Sequence, residues 1–214
     1  MADIGKSISE SVSLISKVGA ECELLATLVK QELSSLLGSV PVSKRFPAGG
    51  SWIEHWKTDD HGWVYVDYAN SLPLIIKPKR SIGAYLVFQI SLAGDRIAAV
   101  GNDQPLMHVG FCWGAVDFEE FWIGFPMDME EPAPYLEEGT LFRWQASGKD
   151  FTWWTYSLRL AEINNVQDVR KMIVEPVKAL LLGESASDAL PQALRGVVRY
   201  CPVEDEPGQY RVVQ

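Results

Sequence analysis

Glu54, His55, Asp59, Asp60 and His61 place five ionisable side chains within eight positions. Imidazole nitrogens and carboxylate oxygens are the donors that hold a divalent metal and activate a bound water. A metal-dependent hydrolase using loop 54–61 is therefore one expectation, with His55, Asp59 and His61 as the first ligands to consider. The plainer expectation is a solvated turn, because Asp60-His61-Gly62 carries a turn signature. His108 alternates with Gly110 and Cys112 along a strand-like run. It reads as a hydrogen-bonded, partly buried imidazole. Cys112, between Phe111 and Trp113, reads as a small core residue with no cation beside it to activate the thiol.

The mechanistic motifs that combine a nucleophile or a phosphate cradle with a fixed spacing are missing from the chain. There is no P-loop, no dinucleotide-binding G-x-G-x-x-G, no G-x-S-x-G elbow, no H-E-x-x-H and no C-x-x-C. The sequence calls for no cofactor and names no catalytic residue.

A different kind of signal comes from charge. The chain carries 19 Lys+Arg against 28 Asp+Glu, a formal net charge of −9. Almost all of the excess lies in residues 106–139, which hold eight acids and no Lys or Arg. These are Asp117, Glu119, Glu120, Asp128, Glu130, Glu131, Glu137 and Glu138. Phe118, Phe121, Trp122, Phe125, Met127, Met129 and Tyr135 are interleaved with them. Aromatic and Met side chains supply contact area, while carboxylates steer a cationic partner and repel an acidic one. Asp117, Glu119, Glu120, Trp122, Asp128, Glu130, Glu131, Glu137 and Glu138 are thus the candidate partner-binding residues. The alternative is an acidic surface loop that aids solubility. A nucleic acid is not expected on this segment, since phosphate binding needs clustered Lys and Arg. The one basic cluster, Lys77-Pro78-Lys79-Arg80, reads as a turn between strands.

These candidates need elements to position them. Ile4, Ile8, Val12, Ile15, Val18, Cys22, Leu25, Val29, Leu33 and Leu36 recur at an average of about 3.6 residues, the α-helical period. The pattern predicts a helix or helix pair over 4–37, ending at Gly38, with Gly19 as a candidate break. Such a helix folds onto its own sheet or pairs with a second chain. Residues 39–61 read as irregular. Trp63–Tyr68, Ile82–Leu92, Arg96–Val100, Leu106–Trp113, Thr140–Gln145 and Phe151–Ile163 read as strands, the middle three as a meander. Asn164 or Asn165 caps a further helix, Pro176 kinks it and Gly183 ends it. A short helix over 184–195 and an edge strand Val197–Tyr200 complete the expectation.

The expected fold is α+β: a long N-terminal helix, a central antiparallel aromatic-rich sheet of about five to seven strands, and a C-terminal helix packed on it. The expected organisation is a helix or helix pair over 1–38 and one α+β domain over 39–214, with an acidic loop region at 114–139. The length of 214 residues suits that plan. No apolar run reaches the roughly 18–20 residues of a spanning helix, and the first residues lack the form of a signal peptide. Three widely spaced cysteines argue against a disulfide framework, so a cytoplasmic protein is expected. The function to expect is a non-enzymatic binding module, such as an inhibitor, immunity or antitoxin-like protein. It would dock an acidic-aromatic surface on a basic protein and have the option of homo-oligomers through helix 4–37.

Overall fold

The computed structural model describes residues 3–127, 129, 133–145 and 151–213. Helix α1 (Ile4–Gly38) runs unbroken for 35 residues, so Gly19 does not divide it. Asp3 caps its start by accepting from the Lys6 N–H. The one-turn helix α2 (Val42–Arg45) follows. Seven strands form one antiparallel sheet: β1 (Ile53–Thr58), β2 (Tyr65–Ile75), β3 (Ile82–Ser91), β4 (Leu106–Cys112), β5 (Tyr135–Glu137), β6 (Leu141–Gln145) and β7 (Thr152–Arg159). Their order is β1-β2-β3-β4-β7-β6-β5. No described helix is long and apolar enough to cross a membrane.

Strand alternation splits the sheet into two faces. On one, Leu72, Leu74, Leu86, Phe88, Ile90, Met107, Val109, Phe111, Trp154 and Tyr156 pack beneath Ala26, Val29 and Leu33 of α1 and the C-terminal helices. Those helices are α3 (Val166–Val169), a π-helical turn (Arg170–Val174), α4 (Glu175–Leu182) and α5 (Ala186–Ala189). Asn165 caps α3, and Gly183 ends α4 in the left-handed conformation at φ 92°. Pro176 falls in the first turn of α4, and the helical wind loosens into the π turn just before it. Glu32 of α1 takes a bidentate pair of bonds from Arg170, at 2.8 and 3.0 Å.

The other face is covered by the chain after β4. Val116, Phe118 and Ile123 pack on Ala69, Val87 and Cys112. Phe125 and Met127 pack on Phe142, Tyr200, Tyr210 and Val212. The last two aromatics belong with a small hairpin, β8 (Arg199–Pro202) and β9 (Tyr210–Val213). The helix–sheet–helix order expected of an α+β fold is therefore present, with a further layer on the second face.

Three local expectations change. Residues 39–61 contain strand β1, paired with β2 from Ile53↔Ser71 to Thr58↔Tyr65. Arg96–Val100 is not a meander strand: Asp95–Ile97 is a 3-10 turn, and β3 pairs directly with β4. In that turn Arg96 is buried, with its guanidinium beside Asp67. The edge strand expected over Val197–Tyr200 starts two residues later, as β8 (Arg199–Pro202), and forms a separate two-stranded sheet with β9.

Candidate functional site

The acidic-aromatic segment is anchored by its apolar side chains. Phe118, Ile123, Phe125 and Met127 are all buried, so they belong to the protein's own core. Asp117 closes a tight turn: the Phe121 N–H donates to its carbonyl at 2.6 Å, and the Glu119 N–H to its Oδ1 at 3.1 Å. That turn leaves Glu119 and Glu120 in water and Trp122 at 42% exposure. Beneath Trp122 lies the Arg96 guanidinium, 4.4 Å from the ring centroid. Arg96 is itself buried, with Nε 3.5 Å from Asp67 Oδ2. Glu137 is committed elsewhere, pairing with Arg143 and accepting the Ala186 N–H at 3.2 Å. Glu138 is exposed in the turn after β5, at φ 52°. Thus Asp117, Glu119, Glu120 and Trp122 share one turn, Glu137 and Glu138 another. Asp128, Glu130 and Glu131 lie outside the described residues.

The residues of loop 54–61 face separate duties. Glu54 accepts from Lys30 Nζ at 2.5 Å and from the Tyr68 hydroxyl at 3.1 Å. The Lys30 bond holds its carboxyl below the usual range. Asp59 Oδ1 accepts the Trp63 and Val64 N–H groups at 2.7 and 2.9 Å, and these backbone bonds lower its pKa. That carboxylate shapes the β1–β2 connection. His55 is half-buried on β1 and His61 is exposed at the tip, beside exposed Asp60. Among the described residues, no group of three or more His, Cys, Asp or Glu side chains gathers at metal-binding range.

A polar row across the second face escapes a sequence reading. Registers Asp67↔Ser91, Gln89↔His108 and His108↔Ser157 bring these side chains to one face of four neighbouring strands. Gln89 donates to Ser91 Oγ at 2.9 Å and to the Ile123 carbonyl at 2.7 Å, and accepts the Ile123 N–H at 3.0 Å. His108 Nε2 lies 3.1 Å from the Arg96 carbonyl, so Nε2 carries the proton. Nδ1 then accepts from the Ser157 hydroxyl, 2.8 Å away. Burial drives the imidazole down to about 4, keeping it neutral. Both residues are sealed from solvent, so the pair ties strands together and offers no nucleophile to a substrate. Cys112 is equally sealed, its thiol pushed up to about 12 by burial. The available signal was the pleat itself, which aligns Gln89 and Ser91 with Val87.

A groove of about 770 Å³ opens between α1 and the β1–β2 end of the sheet. Ile15, Gly19, Cys22 and Lys30 line one wall, and Trp56, Trp63 and Tyr65 the other. The three aromatics are 57%, 84% and 54% exposed. Beyond the groove, every residue from Asp3 to Lys17 is exposed, including Ile4, Ile8, Val12, Leu14 and Ile15. The stripe that is buried from Ala26 onward thus continues into water for four turns. The chain matches no known family model, no curated protein and no solved structure.

Proposed function

We propose that this protein is a non-enzymatic protein-binding module that docks through the projecting half of α1 and the aromatic rim of its groove. The observation that carries this reading is the exposure of Ile4, Ile8, Val12, Leu14 and Ile15 on one side of a regular helix. A contiguous apolar surface above roughly 300–600 Å² is unusual on a monomer and marks contact sites. Trp56, Trp63 and Tyr65 extend it with the residue types that anchor interfaces. The acids Glu119, Glu120 and Glu138 supply a second, steering surface that favours a basic protein partner.

Affinity capture with the intact protein tests this. A protein retained by wild type, and lost when Ile8→Asp and Val12→Asp are combined, is the expected result. At low protein concentration the variant is expected to keep its circular dichroism and melting temperature, because both positions are exposed on the single chain. Equal retention by wild type and variant overturns the reading. Glu119→Gln with Glu120→Gln is expected to slow association and weaken its salt dependence.

A further inference from the structure

We infer that the occupant of this surface is a second copy of the same chain, with the two N-terminal helices paired antiparallel about a two-fold axis near Ser13. The inference rests on the proposed reading of α1 as a docking element. It adds the identity and geometry of the occupant of the helix stripe, and it leaves Glu119, Glu120 and Glu138 as a separate surface for a basic protein.

Three observations favour a second copy. The first is the distribution of charge. At 100° per residue, Ile4, Ile8, Ser11, Ile15, Val18 and Cys22 share one face of α1. Lys6, Glu10 and Lys17 fall on the opposite side, where Lys6 and Glu10 lie 3.7 Å apart. Between Ile4 and Val18 two such faces meet without burying a charge, and so avoid the desolvation cost that an ion in an interface carries; Glu23 and Lys30 lie farther along, in the wall of the groove.

The second is self-complementarity. About an axis near Ser13, Ile4 falls beside Cys22 of the other copy, Ile8 beside Val18, and Ile15 over Ser11. Val12 and Leu14 meet their own counterparts on either side of the axis. Each contact occurs twice, as an isologous interface requires. The first turn of the incoming helix then reaches the groove at Gly19 and Cys22, under Trp56 and Trp63. A Cβ placed on Gly19 meets nothing within 4 Å, so that wall is open to an approaching helix.

The third is area. The five exposed aliphatic side chains and three exposed aromatics offer on the order of 1,000 Å² per copy. A standard interface takes roughly 800 Å² from each partner. The projecting turns, Ile4–Lys17, would by themselves make a helix of marginal stability in water. Pairing gives them the tertiary support that Ala26–Leu37 receive from the sheet.

Sedimentation of the intact protein over a wide concentration range tests the inference. The expected result is a mass that doubles from 23.9 kDa as concentration rises. Ile8→Asp is expected to weaken self-association at least tenfold while leaving the melting temperature of the dilute protein unchanged. The geometry is read separately. In a Cys201→Ser background, Ile4→Cys places a thiol opposite Cys22 of the other copy. Mild oxidation is expected to give a covalent dimer that disappears when Cys22→Ser is added. A cross-link that survives Cys22→Ser joins the two new thiols and overturns the antiparallel arrangement. A 23.9 kDa species at every concentration overturns the second-copy inference. So does sedimentation of the wild type with phosphatidylcholine–phosphatidylserine vesicles, lost in Ile8→Asp, which would give the stripe to a membrane. Stripe-dependent capture of a different protein by a monomeric wild type leaves the binding-module reading intact. Failure of both self-association and capture removes both.

Discussion

The hydroxyl of Tyr156, on strand β7, lies 3.0 Å from the carbonyl of Met172 in the π-helical turn, to which it donates. Four residues on stands Pro176, which has no N–H to return to Met172. The strand thus donates to a carbonyl that Pro176 cannot serve, and the sheet is pinned to the C-terminal helices at that point. Tyr156 is fully buried, so its phenol is kept protonated well above its usual range. Tyr156→Phe is expected to cost about 1–3 kcal/mol, the cost of leaving a buried carbonyl without its donor. Restoring an N–H with Pro176→Ala is expected to recover part of the loss. Urea unfolding of both single variants and the double variant measures the coupling. Additive effects would mean the two groups do not share this acceptor.

His108 makes stability depend on pH in a defined direction. Its folded pKa of about 4 lies below the ordinary 6.5, because burial disfavours the imidazolium. Between those values the unfolded chain binds a proton that the folded one refuses. Stability is therefore full above about pH 6.5 and falls as pH drops toward 4, by roughly 3 kcal/mol from this group. Asp67 acts in the opposite sense. Desolvation raises its carboxyl, against the pull of Ser91 and Arg96, so acidification relieves a buried charge. The comparison that isolates His108 is wild type against His108→Gln. Unfolding free energies at pH 7.0 and 4.5 are expected to differ less in the variant. Equal differences would remove the assignment.

Helix and sheet were legible wherever a period repeats. Ile4 to Leu36 holds the helical spacing over nine intervals, and the structure returns one helix with nearly the expected ends. The same stripe could not say that it changes character midway, because burial depends on how far the sheet reaches beneath it. Strand β1 was missed because it is an edge strand with only half its side chains covered, so its apolar alternation is faint. The acidic segment was read correctly for charge and incompletely for burial. Prolines erase its periodicity, and nothing local says that Phe118, Ile123 and Phe125 turn inward while Glu119 and Glu120 turn out. The row from Asp67 to Ser157 depends on register across four strands, which spacing along the chain does not contain.

Two glycines with the same backbone sign are expected to respond differently to alanine. Gly183 and Gly208 have φ of 92° and 83°, a region L-residues resist. At Gly183 the added methyl meets nothing within 4 Å, so only the backbone penalty of about 1–2 kcal/mol applies. At Gly208 it would stand 2.5 Å from the Met127 carbonyl. Met127 is held there by a 2.8 Å bond from its N–H to the Gly208 carbonyl, which joins the covering segment to the β8–β9 connection. Gly208→Ala is expected to cost clearly more than Gly183→Ala and to increase proteolysis within 113–127. Thermal unfolding of the two variants side by side checks the order, and equal losses would show that the covering segment yields freely.

The two halves of α1 carry one pattern and are expected to carry unequal stability. Leu33 is fully buried among sheet and helix side chains, so Leu33→Ala leaves a cavity and is expected to cost about 2–5 kcal/mol. Ile8 is 60% exposed, and Ile8→Ala loses little packing while gaining helix propensity. In dilute protein its effect on unfolding is expected to stay within about 0.5 kcal/mol. Hydrogen exchange adds a second readout. Amides from Ala26 to Leu37 are expected to exchange only on global unfolding, whereas those from Ser7 to Lys17 exchange by local fraying. Raising the protein concentration is expected to slow exchange in the projecting turns alone, because only they gain cover from a second helix. Slow exchange of Ser7–Lys17 in dilute protein would mean that these turns already hold a partner within their own chain.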